Sequence, residues 1–186
     1  VDGDIISIAS SDGKSLMSKS ISGAGIESTL VSGLQGAEGI TIYNHDVYFT
    51  THVSGVQNQI NSYDPDTSTV TTLQDVAEIG AYNHPGDLTF CGGKMYILMT
   101  GGTAVYQADL DGSNPIKIAG AARWNTRFGA RSQALVGRPK AFARFGSKLY
   151  ILQNHQFAKL DLVTMQLSFM AGRDGDAYTD GVGDAA

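Results

Sequence analysis

The chain repeats itself, and the repeat limits its fold more tightly than any other feature. Three segments align without gaps over two predicted strands and the turn between them. They are Ala37-Glu38-Gly39-Ile40-Thr41-Ile42 running into Asp46-Val47-Tyr48-Phe49, Pro85-Gly86-Asp87-Leu88-Thr89-Phe90 running into Lys94-Met95-Tyr96-Ile97, and Pro139-Lys140-Ala141-Phe142-Ala143-Arg144 running into Lys148-Leu149-Tyr150-Ile151. Asn44-His45, Gly92-Gly93 and Gly146-Ser147 fill the turns, where asparagine and glycine supply the positive φ that tight hairpins need. A third strand follows in each copy and ends in aspartate, at Asp64, Asp109 and Asp161. A polar turn and a fourth strand close the unit. The tyrosines recur at intervals of 48 residues (Tyr48 to Tyr96) and 54 residues (Tyr96 to Tyr150).

Four strands at a period near 40–50 residues predict an all-β propeller of four-stranded antiparallel blades. The expected blades are 1–33, 34–75, 84–120 and 138–172 of a single propeller domain or fragment, followed by an inter-blade loop over 173–186. The first blade reads as lacking its innermost strand: Ile5–Ile8 matches a second strand, Lys14–Ser18 a third and Ile26–Val31 a fourth. A non-repeating sandwich is the competing all-β arrangement. Both ends stop inside a repeat, which favours part of a larger ring over a strand borrowed from a partner or closure by terminal exchange.

Composition narrows the function classes. A 42% hydrophobic and 17% charged chain is not intrinsically disordered. A net charge of −5 excludes a general nucleic-acid binder, and no apolar run reaches the length of a membrane span. Cys91 is the single cysteine, so neither an intrachain disulfide nor a cysteine-cluster metal site is available.

Glu38-Gly39-Ile40, Pro85-Gly86-Asp87-Leu88, Pro139-Lys140-Ala141-Phe142, Ala119-Gly120 and Met170-Ala171-Gly172 together resemble the NHL-repeat family of β-propellers. Asn154-His155-Gln156-Phe157 echoes that family's Asn-His-Arg-Ile-Arg run, and Asp180 to Ala186 looks like its inter-blade loop. The resemblance implies a ring of about six blades.

In a propeller the innermost strands begin around a central channel, where side chains can converge on a ligand. Glu38, Asp87 and Lys140 hold those positions, with His84 and Arg138 just outside. Glu38-Gly39 resembles the metal-binding Glu-Gly of gluconolactonase-like propellers, but the other blades lack the residues that would complete that site. The four histidines (His45, His52, His84, His155) sit at different repeat positions, which argues against a histidine metal site. Neither a Gly-x-Ser-x-Gly elbow nor a Walker loop occurs. Asp174, Asp176 and Asp180 invite a calcium loop, yet Tyr178 breaks the ligand spacing and a solvated turn is the better reading. No catalytic residue, metal or other cofactor is assigned.

One asymmetry remains. Residues 121–148 carry 7 of the 13 basic residues and no acidic one. Arg123, Arg127 and Arg131 are spaced i, i+4, which would align them on one face of a short helical turn beside Trp124 and Phe128. With Arg138 and Lys140 they form a basic lobe. The bland reading is an arginine cover over a long inter-blade loop. The functional reading is a non-enzymatic interaction scaffold that recognises an acidic partner, another copy of itself or an anionic glycan. A metal-dependent lactonase- or lyase-like enzyme at the channel is the alternative. Acidic pI and few lysines fit an extracellular or cell-surface setting.

Overall fold

The structure is a computed structural model that describes residues 5–9, 14–20, 27–53, 57–75, 84–120, 127–130, 134, 136–137, 139–153 and 155–172. Sixteen strands run through them in consecutive antiparallel sheets, with no helix among the described residues. The first sheet holds β1 (Ile5–Ala9), β2 (Ser15–Ser20) and β3 (Glu27–Ser32). The second holds β4 (Ala37–Tyr43), β5 (Asp46–Val53), β6 (Gln57–Asp64) and β7 (Thr69–Asp75). The third holds β8 (Pro85–Cys91), β9 (Lys94–Met99), β10 (Ala104–Ala108) and β11 (Ile116–Gly120). The fourth holds β12 (Gly129–Ala130), β13 (Pro139–Phe145), β14 (Lys148–Gln153), β15 (Gln156–Asp161) and β16 (Gln166–Gly172). The expected all-β architecture of repeated antiparallel blades is the observed one.

Local chemistry sets each hairpin. Asn44 and His45 have φ of 48° and 80°, and Gly92 and Gly93 have 58° and 72°. Paired positive φ values match the twist of the flanking strands. The aspartates that end β6 and β15 work as turn locks. Asp64 Oδ1 accepts the Asp66 and Thr67 amides, and Asp161 Oδ1 accepts those of Val163 and Thr164.

Strand alternation then builds the core between successive sheets rather than within one. Leu16 and Val31 of the first sheet meet Val47, Phe49 and Tyr63 of the second. Tyr48 and Ile60 on the other face of the second sheet meet Leu88, Phe90 and Ile97 of the third. Leu98, Val105 and Ile118 meet Leu149, Ile151 and Leu160 of the fourth. Such sequential face-to-face stacking is what a propeller requires and a two-sheet sandwich does not supply.

The fourth sheet departs from expectation. It has a fifth strand, β12, whose Gly129 pairs with Leu167 and Ala130 with Gln166. Of the helical turn expected to align Arg123, Arg127 and Arg131, only Arg127 lies among the described residues, and the chain that follows it is extended at Gly129–Ala130, where the free backbone groups at the outer edge of β16 take a pairing partner. Phe128 instead packs into the core, its ring 5.6 Å from that of Phe169.

Candidate functional site

Two elements place the central pair of the site. Glu38 is the second residue of β4, exposed at the inner end of the second sheet. His84 directly precedes β8, and its carbonyl accepts both the backbone amide of Thr100 (2.8 Å) and its hydroxyl (3.1 Å). Those bonds fix His84 so that its Nε2 lies 2.5 Å from Glu38 Oε1. A carboxylate only accepts, so the ring nitrogen donates.

His52, near the end of β5, completes the group. Its ring stacks on that of His84 with centroids 3.6 Å apart and planes 19° off parallel. His52 Nδ1 is 2.5 Å from Asn58 Oδ1, and its backbone amide donates to the Gly36 carbonyl. His52 and His84 meet although they hold different repeat positions. Repeat alignment compares equivalent positions, whereas face-to-face packing brings the end of β5 over the start of β8. His45 does lie elsewhere, 3.3 Å from Asp66. Among the described residues no group of three or more His, Cys, Asp or Glu is arranged to hold a metal ion.

Asp87 points toward the fourth sheet. Its Oδ2 accepts the Phe142 backbone amide at 2.9 Å. Burial raises its carboxyl above the usual range, against the opposing effect of that hydrogen bond, and the charge of Glu38 adds to the rise. Between the second and third sheets Thr50 plays a comparable part. It is fully buried, accepts the Gly39 amide (2.9 Å) and donates to the Gly86 carbonyl (2.8 Å). This contact explains the glycine of the Glu38-Gly39 pair. A Cβ at Gly39 would run into the Gly86 backbone, so the innermost strands approach closely only with glycine there.

Lys140 is exposed on β13, at the repeat position equivalent to Glu38, and Arg127 is exposed ahead of β12. Arg123, Trp124, Arg131 and Arg138, and the acidic loop 173–186, lie outside the described residues. Tyr48 and Tyr96 pack between sheets as expected, and burial pushes both phenols up. Tyr150 does not share that environment; it is half-exposed. Gln153 was not anticipated. Its side chain is buried on β14, and neither end of the amide has a hydrogen-bond partner.

No protein-family model matches the chain, and no curated protein matches it. Solved structures do. A Bacteroides thetaiotaomicron protein of unknown function aligns with TM-score 0.74 and 17% identity over 97% of this chain and 50% of its own. A chain from a nidogen/laminin complex aligns with TM-score 0.69 and 16% identity over 89% of this chain and 58% of its own. An auxiliary nutrient binding protein from Bacteroides thetaiotaomicron gives 0.65 and 19% over 96% and 50%. At these identities the likeness concerns fold, and it supports the β-propeller class. The chain spans about half the length of these structures. No helix among the described residues is long and apolar enough to cross a membrane.

Proposed function

We propose that the chain is a non-enzymatic recognition scaffold, an NHL-like propeller that binds an acidic protein surface or another copy of itself and works without metal or cofactor. One observation carries this reading: the polar side chains at the inner ends of the strands are spent on joining sheets. Glu38 holds His84, Asp87 holds the Phe142 amide, and Thr50 bridges Gly39 and Gly86. A frame tied in this way keeps loops and outer faces in fixed places for recognition. Arg127 and Lys140 belong to the stretch without acidic residues, together with Arg123, Trp124, Arg131 and Arg138, and that stretch supplies the charge for an acidic surface. An anionic glycan offers the same chemistry. The extracellular or cell-surface setting draws support from the nidogen/laminin and nutrient-binding neighbours.

Retention on immobilised heparin tests the reading. It should fall steeply between low salt and about 1 M salt, where screening shortens to about 3 Å, and Arg127→Glu should weaken it. Retention indifferent to salt and to Arg127→Glu contradicts the proposal. The competing metal-dependent enzyme would use Glu38 and Asp87 near the channel. It requires copurifying metal and a melting temperature that chelator lowers, whereas the scaffold keeps its melting temperature in chelator.

A further inference from the structure

The outer strands of the second, third and fourth sheets share a hazard, a row of backbone groups that can pair with another chain. The registers identify one equivalent position on each. Val47, Met95 and Leu149 directly precede the repeated tyrosines. Val47 pairs with Tyr63 and Tyr63 with Val70, while Leu149 pairs with Leu160 and Leu160 with Leu167. Met95 pairs with Ala108, which faces Pro115 one step beyond the Gln107–Ile116 pair. Val70, Pro115 and Leu167 are therefore counterparts.

Two of the three are guarded. Leu167 pairs with Gly129 of β12 and is 1% exposed. Pro115 has no N–H to offer a further strand. Val70 has neither protection: it is 41% exposed, within a run from Thr69 to Thr72 that is exposed throughout. β7 is the last strand of its sheet among the described residues. The direction of its backbone follows from the ladder. The His52 amide donates to the Gly36 carbonyl, so by alternation Phe49 and Val47 bond to Asn61 and Tyr63 on β6. Tyr63 then has no backbone bond to give Val70, whose N–H and C=O turn outward. All four residues of the run are β-branched and uncharged, which suits them to further pairing.

The surroundings select the charge of a partner. Residues 20–93 hold 8 acidic residues and no lysine or arginine. Asp64 ends β6 opposite Thr69, Asp66 lies in the turn against His45, and Asp75 ends β7. We propose that the outer edge of β7 takes an extended peptide segment bearing lysine or arginine. The segment adds to the second sheet as a further strand, as β12 adds to β16. Main-chain bonds at Val70 hold it, and the aspartates at the two ends of β7 recognise its charge. This site uses none of the residues of the basic stretch and takes a partner of the opposite sign.

Fluorescence anisotropy with a labelled peptide of alternating lysine and valine provides the test. Binding should weaken with added salt, and a glutamate–valine peptide should bind at least about tenfold more weakly. A fully N-methylated lysine–valine peptide keeps every charge but has no main-chain donor, and it should not bind. Val70→Pro should abolish binding, and Pro115 shows that this fold holds proline at the position. Val70→Lys keeps the backbone donor, adds a repelling charge, and should weaken binding at least about tenfold. Circular dichroism should show both variants folded. Val163→Lys, on the exposed turn after β15, should leave binding unchanged. Absence of binding at every salt concentration, binding matched by the N-methylated peptide, or binding that both Val70 variants leave intact overturns the proposal. A dimer in sedimentation that Val70→Lys dissolves, with no peptide bound, overturns it in favour of a second copy on this edge. Loss of heparin retention with peptide binding preserved removes the acidic-partner reading alone.

Discussion

The Phe142 backbone amide donates to Asp87 Oδ2 at 2.9 Å, joining the innermost strands of the third and fourth sheets through a carboxylate that burial disfavours as an anion. This residue, singled out in the sequence as a channel-rim carboxylate, is a tie between blades. Its acceptor role is separable from its charge.

Asp87→Ala should therefore destabilise by about 1 kcal/mol, because the Phe142 amide loses its partner in a partly buried place. Asp87→Asn keeps an acceptor and removes the charge, so it should equal or exceed the wild type at neutral pH. Chemical denaturation of the three proteins measures both effects.

The sign of the pH dependence follows from the raised Asp87 carboxyl. The folded state holds that proton more tightly than the unfolded state, so this group's contribution falls as pH rises from the ordinary carboxylate value through the raised one. Stability of wild type minus Asp87→Asn should decline over that interval and level off above it. A flat difference contradicts the assignment.

Gly39→Ala should cost about 1–3 kcal/mol, since its methyl group meets the Gly86 backbone and the innermost strands must separate. Gly92→Ala meets no neighbouring atom and is strained only by its φ of 58°. Thermal melts of the pair should rank Gly39→Ala as the more damaging.

Gln153→Met should raise the melting temperature. The Gln153 amide is buried without a hydrogen-bond partner, and a thioether of similar length removes that cost while filling the space.

The sequence was informative where a property repeats. Asn44-His45 and Gly92-Gly93 announced hairpins, Asp64 and Asp161 announced their turns, and Tyr48 and Tyr96 announced inter-sheet packing. It was silent where contacts join non-equivalent positions. His52 and His84 lie 32 residues apart in different units, and only packing of the second sheet on the third stacks their rings. β12 was hidden for another reason. Its two residues have little strand character of their own, and pairing with the edge of β16 makes them one.

Cross-sheet nuclear Overhauser contacts test the stacking order most directly. The Tyr43 ring should contact that of Phe90, 4.4 Å away between centroids, and Leu98 and Val105 should contact Leu149 and Ile151. Phe49 should show none to Leu160. Direct contacts between the second and fourth sheets at Phe49 and Leu160, with those between Tyr43 and Phe90 missing, would contradict radial stacking of consecutive sheets.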